Sequence, residues 1–333
     1  MINLGEGLIP VGITGVGSYA PERVMTNAEL EELVKTTDDW IRTRSGIRER
    51  RIAGEDTATS DMSVIAAQRA LENAGLQASD IDLIVLATLS PDYPWPATAC
   101  LVQERLGAHR AVAFDISAGC TGLVYGLAVG SQFIQTGMYR NVLVIGGETM
   151  SKVINWQDRS TCVLFGDGAG AVVLQPVQEG SGFLSIDLGT EGAGVELLYQ
   201  PGGGSRRPAS EETLARKEHY LHMNGREVFK FAVKVMEQST LKAIEKAGLT
   251  VEDINYIIPH QANLRIIEAA AKRLKVGMDK IYVNVDKYGN TSAASIGIAL
   301  DEALQEGKIK KGDNILLVGF GAGLTWGAIV LKW

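Results

Sequence analysis

The chain repeats itself, and the repeat limits its possible folds more than any single motif does. Sliding the second half back by 173 positions sets AGLQASDIDLIVL (74–86) against AGLTVEDINYIIP (247–259), with Ala, Gly, Leu, Asp, Ile and Ile coinciding. At the same offset NVLVIGG (141–147) meets NILLVGF (314–320), and GAVVL (170–174) later finds its counterpart in GAIVL (327–331). Three matches in one order are the trace of a duplicated supersecondary unit. Halves of that kind pack about a pseudo-twofold axis, which brings equivalent positions together at the centre. Between the matches, Gly119-Cys120-Thr121 lines up with Gly289-Asn290-Thr291, each a glycine turn opening a helix. Cys120 and Asn290 are therefore expected at equivalent places in one site.

The repeated unit is α/β. Short apolar runs at 82–89, 111–116, 141–147 and 314–320 read as buried strands, and 59–76, 120–136, 224–247, 263–274 and 292–305 show helical spacing. Alternation of the two predicts an α/β fold with largely parallel strands. A length of 333 residues suits two domains, which the repeat places at 1–178, carrying Cys120, and 179–333, carrying Asn290. The segment 192–222, which contains GGGSRRPASEETLARKEH, is polar and lacks periodicity, so a mobile surface loop is expected there.

A formal charge of −7 argues against nucleic acid as a partner, because phosphate contacts need a basic surface. Three cysteines do not make a disulfide framework and point to a reducing compartment. No run reaches the roughly 18 uninterrupted apolar residues of a membrane span, and Met1 to Pro10 lacks a leader pattern. A cytoplasmic location is expected.

Cys120 follows the strand AVAFDI and the turn SAG, at the start of an apolar helix. The helix dipole and unpaired amides at that position favour a thiolate nucleophile and can hold an oxyanion. On its own, such a residue is equally compatible with a packed thiol, the role expected of Cys100 and Cys162. His260, in IIPHQAN, ends a strand, where open α/β sheets place ligands, and is the best partner among four histidines. His109, His219 and His222 are expected to be solvated. Asn290, in KYGNTSAAS, fits helix capping as well as it fits a neutral amide aimed at a developing enolate or oxyanion. The nucleotide-loop-like GDGAG (166–170) runs into a strand, and no phosphate-binding lysine motif is present. The related GFGAGLTWG (319–327) is expected to bring backbone close to the site.

With these residues in place, the chain resembles the 3-oxoacyl-(acyl-carrier-protein) synthase III family of the thiolase-like superfamily over nearly its whole length. The resemblance is carried by DDWIRTRSGIRERR (38–51), AGCTGL, DRSTCVLFGDGAGA (158–171), NGREVFKFAV (224–233), PHQANLRII (259–267), GNTSAAS (289–295) and GFGAGLTWG. It implies a layered α-β-α-β-α thiolase-like fold, a homodimer, and a Cys120-His260-Asn290 triad. In the implied reaction Cys120 takes acetyl from acetyl-coenzyme A, and malonyl-acyl carrier protein then loses CO2 and condenses with it. No cofactor and no metal are implied. The same resemblance gives the backbone amides of Cys120 and Ala322 as an oxyanion hole, Trp40, Arg44, Arg159 and Asn263 as coenzyme A contacts, and Trp95 as the residue that closes a partner's acyl pocket. Lys230, Arg265, Lys272 and Arg273 become contacts for an acidic carrier protein, although a basic stripe of this spacing, with Arg226 and Lys234, is usually just a solvated face.

Related chemistries fit less well. A thiolase uses a second cysteine near its C-terminus, and here all cysteines precede residue 163. Chain-elongating synthases present two histidines, and a 3-hydroxy-3-methylglutaryl synthase needs a glutamate upstream of the nucleophile that 73–103 does not supply. The motif of a papain-like hydrolase is missing. A non-enzymatic carrier-protein binder would not need an intact Cys, His and Asn set.

Overall fold

A computed structural model describes residues 7–333. Two sheets carry the molecule. The first contains β1 (Val11–Tyr19), β2 (Leu83–Ala87), β3 (Val112–Ile116), β4 (Val142–Glu148) and β5 (Gly168–Pro176), in the order β1-β5-β4-β2-β3. The second contains β6 (Gly182–Thr190), β7 (Tyr256–Pro259), β8 (Asn314–Gly321) and β9 (Thr325–Lys332), in the order β7-β8-β9-β6. Reversed, that order is β6-β9-β8-β7, the first sheet's succession less its last strand. An isolated parallel bridge from Ile257 to Ile281 marks where that last strand would run.

The strands are mixed rather than largely parallel. β3, β2 and β4 run parallel, as do β7 and β8, but β1 with β5, β4 with β5, β8 with β9 and β6 with β9 pair antiparallel. For β8 and β9 connection length is the reason: only residues 322–324 separate them, far fewer than a parallel crossover needs.

The main helices are α1 (Asp38–Ser45), α2 (Thr59–Ala74), α3 (Gly122–Gln135), α4 (Gly225–Lys246), α5 (Leu264–Leu274) and α6 (Ser295–Gln305). α3 and α6 lie between the sheets, α2 covers the outer face of the first, and α4 and α5 cover the outer face of the second. The result is five layers. Strand periodicity produces them: Leu83, Val85, Val142 and Val144 point into the central layer with Leu123, Leu127, Ile296 and Leu300, while Ile84, Leu86, Leu143 and Ile145 point outward under α2. The second sheet repeats this, with Ile315 and Leu317 inward and Leu316 and Val318 outward beneath α4.

Both central helices begin later than their apolar runs suggest. Each is preceded by one tight 3-10 turn, Gly119–Thr121 before α3 and Ser292–Ala294 before α6. These turns are 173 residues apart, so the position equivalent to Cys120 is Ala293, and Asn290 sits three residues earlier. The segment 192–222 also differs from a mobile loop. It contains a 3-10 stretch (Gly192–Leu197), a short helix (Glu211–Ala215) and a strand pair joining 198–199 to 222–223. Apolar Leu197, Leu198 and Leu221, scattered among its polar residues, anchor its two ends in the core.

Candidate active site

Three chain segments converge at the level where the central helices start. β3 delivers the turn bearing Cys120; β7 delivers His260, whose backbone N–H donates to Val318 O on β8 at 2.8 Å. Asn290 follows Gly289, at φ 63°, and is clamped on both sides, its N–H donating to Leu164 O at 2.8 Å and its carbonyl accepting from Gly166 N at 3.1 Å. All three side chains line one cavity of about 310 Å³, together with Ser292, Phe320 and Gly321. Cys120 and His260 are buried, and Asn290 is 7% exposed.

Burial decides the protonation of the site. It pushes the Cys120 thiol up to about 12, with the neighbouring Glu148 carboxyl adding to the shift and the Ser292 hydroxyl opposing it. It depresses His260 to about 3. Burial thus works against the thiolate that the helix terminus favours. The resting site holds a thiol and a neutral imidazole. The ring of His260 packs edge-on against Phe320, centroids 5.3 Å apart.

Backbone also reaches the nucleophile, as the glycine-rich 319–327 segment suggests. A Cβ on Gly119 would lie 2.5 Å from Ala322 N, and one on Gly321 would collide with Cys120 N. Gly119 further adopts φ 59°, a region that side chains rarely visit. The amides of Cys120 and Ala322 are thus brought close together by two positions that tolerate no side chain.

Glu148, at the end of β4, was not singled out by the sequence. It is fully buried and accepts from Ser90 Oγ at 2.6 Å, from the N–H groups of Leu89 and Ser90 at 3.1 Å, and from Ser292 Oγ at 2.9 Å. Burial raises its pKa against the pull of these donors. Ser292 in turn occupies φ 49°, and its N–H donates to Asn290 Oδ1 at 2.8 Å, so the Glu148 carboxyl braces the turn that orients Asn290. The only sequence signal was an acid ending an otherwise apolar strand. Ser295, whose Oγ lies 2.6 Å from His260 Nδ1, was equally hidden among the small residues of GNTSAAS.

The cavity opens past Trp40, Arg44 and Asn263. Arg159 lies over the Trp40 ring at 4.7 Å and Arg44 at 5.9 Å. Asn263 caps α5 by accepting from Arg265 N at 2.9 Å and donates to Arg44 O at 3.1 Å. Beside this mouth α4 and α5 present the basic residues. Lys230 pairs with Glu227 at 2.7 Å, Arg273 with Glu237 at 2.8 Å, and Arg265 covers Phe229 at 5.9 Å. Lys272 is exposed on the same helix.

Other expectations end elsewhere. Trp95 is 84% exposed and does not line the cavity of its own chain. Cys162 is packed, its thiol pushed up to about 11 by burial, but Cys100 is exposed rather than packed, because it falls on the outer side of the helix Thr98–Leu106. His109 and His222 are solvated. His219 is half-buried against Tyr220, centroids 4.0 Å apart, since its segment is folded rather than mobile. Among the described residues no group of three or more His, Cys, Asp or Glu side chains is gathered as metal ligands would be.

Comparison with known proteins agrees over the whole chain. Residues 114–192 match the family described as 3-Oxoacyl-[acyl-carrier-protein (ACP)] synthase III, and 244–333 match that family's C-terminal description. The chain is 61% identical over 325 residues to the Beta-ketoacyl-[acyl-carrier-protein] synthase III of Caldanaerobacter subterraneus subsp. tengcongensis, covering 98% of each. It is 58% identical to that of Clostridioides difficile, covering 97% of this chain and 98% of the relative. The crystal structure of 3-oxoacyl-[acyl-carrier-protein] synthase III from Aquifex aeolicus VF5 matches with a TM-score of 0.90 at 49% identity, covering 97% of this chain and 100% of that one.

Proposed function

Since the chain belongs to the 3-oxoacyl-(acyl-carrier-protein) synthase III family, we propose that it initiates fatty acid synthesis, condensing acetyl-coenzyme A with malonyl-acyl carrier protein through an acetyl group held on Cys120. The observation that carries this reading is the single buried cavity shared by Cys120, His260 and Asn290. The enzyme is an acyltransferase of thiolase-like fold, with its two duplicated halves taken as 1–178 and 179–333.

In the first half-reaction the thioester carbonyl of acetyl-coenzyme A enters beside Cys120. Sulfur attacks the carbonyl carbon, and the oxyanion forms against the amides of Cys120 and Ala322. The thiol proton leaves as the C–S bond forms, and coenzyme A departs protonated as its free thiol. Trp40 and Arg159 open to admit the adenine between indole and guanidinium, a pairing suited to two flat faces. Arg44 meets the phosphates and Asn263 the pantetheine arm. In the second half-reaction malonyl-carrier protein docks on Lys230, Arg265, Lys272 and Arg273. Its carboxylate leaves as CO2, and His260 and Asn290 donate to the thioester oxygen that becomes an enolate. The enolate carbon then attacks acetyl-Cys120, giving acetoacetyl-carrier protein and expelling the Cys120 thiolate, which takes up one proton from solvent to restore the thiol.

This chemistry asks for no resident cofactor or metal. We read the active form as a homodimer in the cytoplasm, in which the exposed Trp95 closes the partner's acyl pocket and favours acetyl or similarly short primers. Among the described residues no helix is long and apolar enough to cross a membrane. Mass spectrometry of the Cys120 peptide tests the sequence of events. An acetyl adduct is expected after acetyl-coenzyme A and its loss after malonyl-carrier protein; the absence of any adduct would overturn the mechanism.

A further inference from the structure

The one hydrogen on the His260 ring can sit on either nitrogen, and its neighbours choose between them. His260 is neutral, as burial dictates, so a single ring N–H is available. Nδ1 lies 2.6 Å from Ser295 Oγ. That oxygen already accepts from the backbone N–H of Gln261 at 3.3 Å. Ser295 is 2% exposed, and among the described residues its hydroxyl hydrogen has no acceptor other than Nδ1. A buried hydroxyl keeps its hydrogen in a bond. It must therefore donate to Nδ1, which leaves Nδ1 bare and the N–H on Nε2. Nε2 is itself buried with no partner among the described residues, on a ring that lines the cavity beside Cys120 and Asn290.

We infer that Ser295 is a positioning residue that locks His260 as the Nε2–H tautomer, so that the imidazole faces the incoming malonyl thioester as a hydrogen-bond donor. The opposite tautomer would strand the serine hydrogen in a dry interior. It would also turn a lone pair from Nε2 toward the carbonyl oxygen on which negative charge develops. A ring already protonated at Nε2 cannot accept the Cys120 proton there, so acetylation of the thiol does not run through His260 as base. The inference rests on the proposed role of His260 in the decarboxylating half-reaction, and the two can fail separately.

The test is a two-bond 1H–15N correlation spectrum of the full-length enzyme labelled at histidine nitrogens, with the His260 signals identified by their loss in His260→Gln. The expected pattern for the unmodified enzyme is one protonated Nε2 and one bare Nδ1. In Ser295→Ala the pattern should become a mixture, malonyl-carrier-protein decarboxylation should fall about tenfold, and acetyl transfer to Cys120 should change by less than about twofold. Ser295→Thr, which keeps the hydroxyl, should restore the pattern and most of the rate. An Nδ1–H pattern in the unmodified enzyme, which requires no variant to fold, overturns the inference, as does undiminished decarboxylation in a folded Ser295→Ala. If instead the unmodified enzyme never decarboxylates malonyl-carrier protein, the catalytic reading falls while the spectrum still reports the tautomer.

Discussion

A thiol pushed up to about 12 cannot be the ready-made nucleophile that its place at a helix start suggests. Alkylation of Cys120 by iodoacetamide should climb roughly tenfold per pH unit between pH 7 and 10 without levelling, since only the thiolate reacts; a plateau below pH 8 would contradict the burial argument. Gly321→Ala puts a methyl against Cys120 N. It should cost about 1–3 kcal/mol of stability and, on the proposed role of that amide as an oxyanion donor, about 100-fold or more in condensation rate, read from a denaturant curve and a product assay. Glu148→Ala removes the brace under Ser292 and Asn290, and decarboxylation should fall by about tenfold or more while acetylation of Cys120 suffers less. Equal losses in both half-reactions would mean that Glu148 serves the fold alone. At this scale the sequence made Cys120 and His260 legible, because both follow apolar strand runs that end in short turns. Glu148 and Ser295 were opaque, because their meaning lies in partners 144 and 35 residues away that only the folded chain brings together.

At the scale of elements, α4 and α5 share a basic face beside the cavity mouth. Two of its cations already have acidic neighbours, and exposed pairs of this kind hold little energy, so the face remains available to a partner. Arg265→Glu should raise the KM for malonyl-carrier protein by about tenfold with kcat nearly unchanged, and the effect should shrink at high salt. Trp95→Gly should broaden the primer range toward longer acyl-coenzyme A, measured over a graded chain-length series; an unchanged profile would remove Trp95 from the acyl pocket. The five helices read from apolar spacing were placed to within three residues at each end. Strand direction was not, because an apolar run looks the same whichever way its neighbour points, and the three-residue link 322–324 reverses the chain as no helical crossover could. The segment 192–222 was misjudged because its anchoring residues are few and lie within polar sequence.

For the whole molecule, pH-dependent stability has a sign set at the centre. His260 takes a proton near pH 6.5 when unfolded but only near 3 when folded, so the unfolded chain binds the extra proton between those values. This group therefore costs stability progressively as pH falls from about 6.5 to about 3 and costs nothing above it. Relative to the enzyme, His260→Gln should gain in thermal midpoint as pH is lowered through that window; a constant difference would refute the buried neutral imidazole. The duplication was the most legible feature of all, yet it misled in one detail by setting Asn290 opposite Cys120. In the fold Ala293 is the counterpart of Cys120, and by the same 173-residue step Gly321 is the counterpart of Glu148. Glu148 accepts from Ser292 Oγ in the turn that opens α6, whereas Gly321 has no side chain and lets the backbone of Cys120 come up against it. At the mouth of each central helix the equivalent strand of the other half comes in, bearing a carboxyl side chain in one case and none in the other. The cavity shared by Cys120, His260 and Asn290 lies at the turn that meets Gly321, where no side chain fills the space.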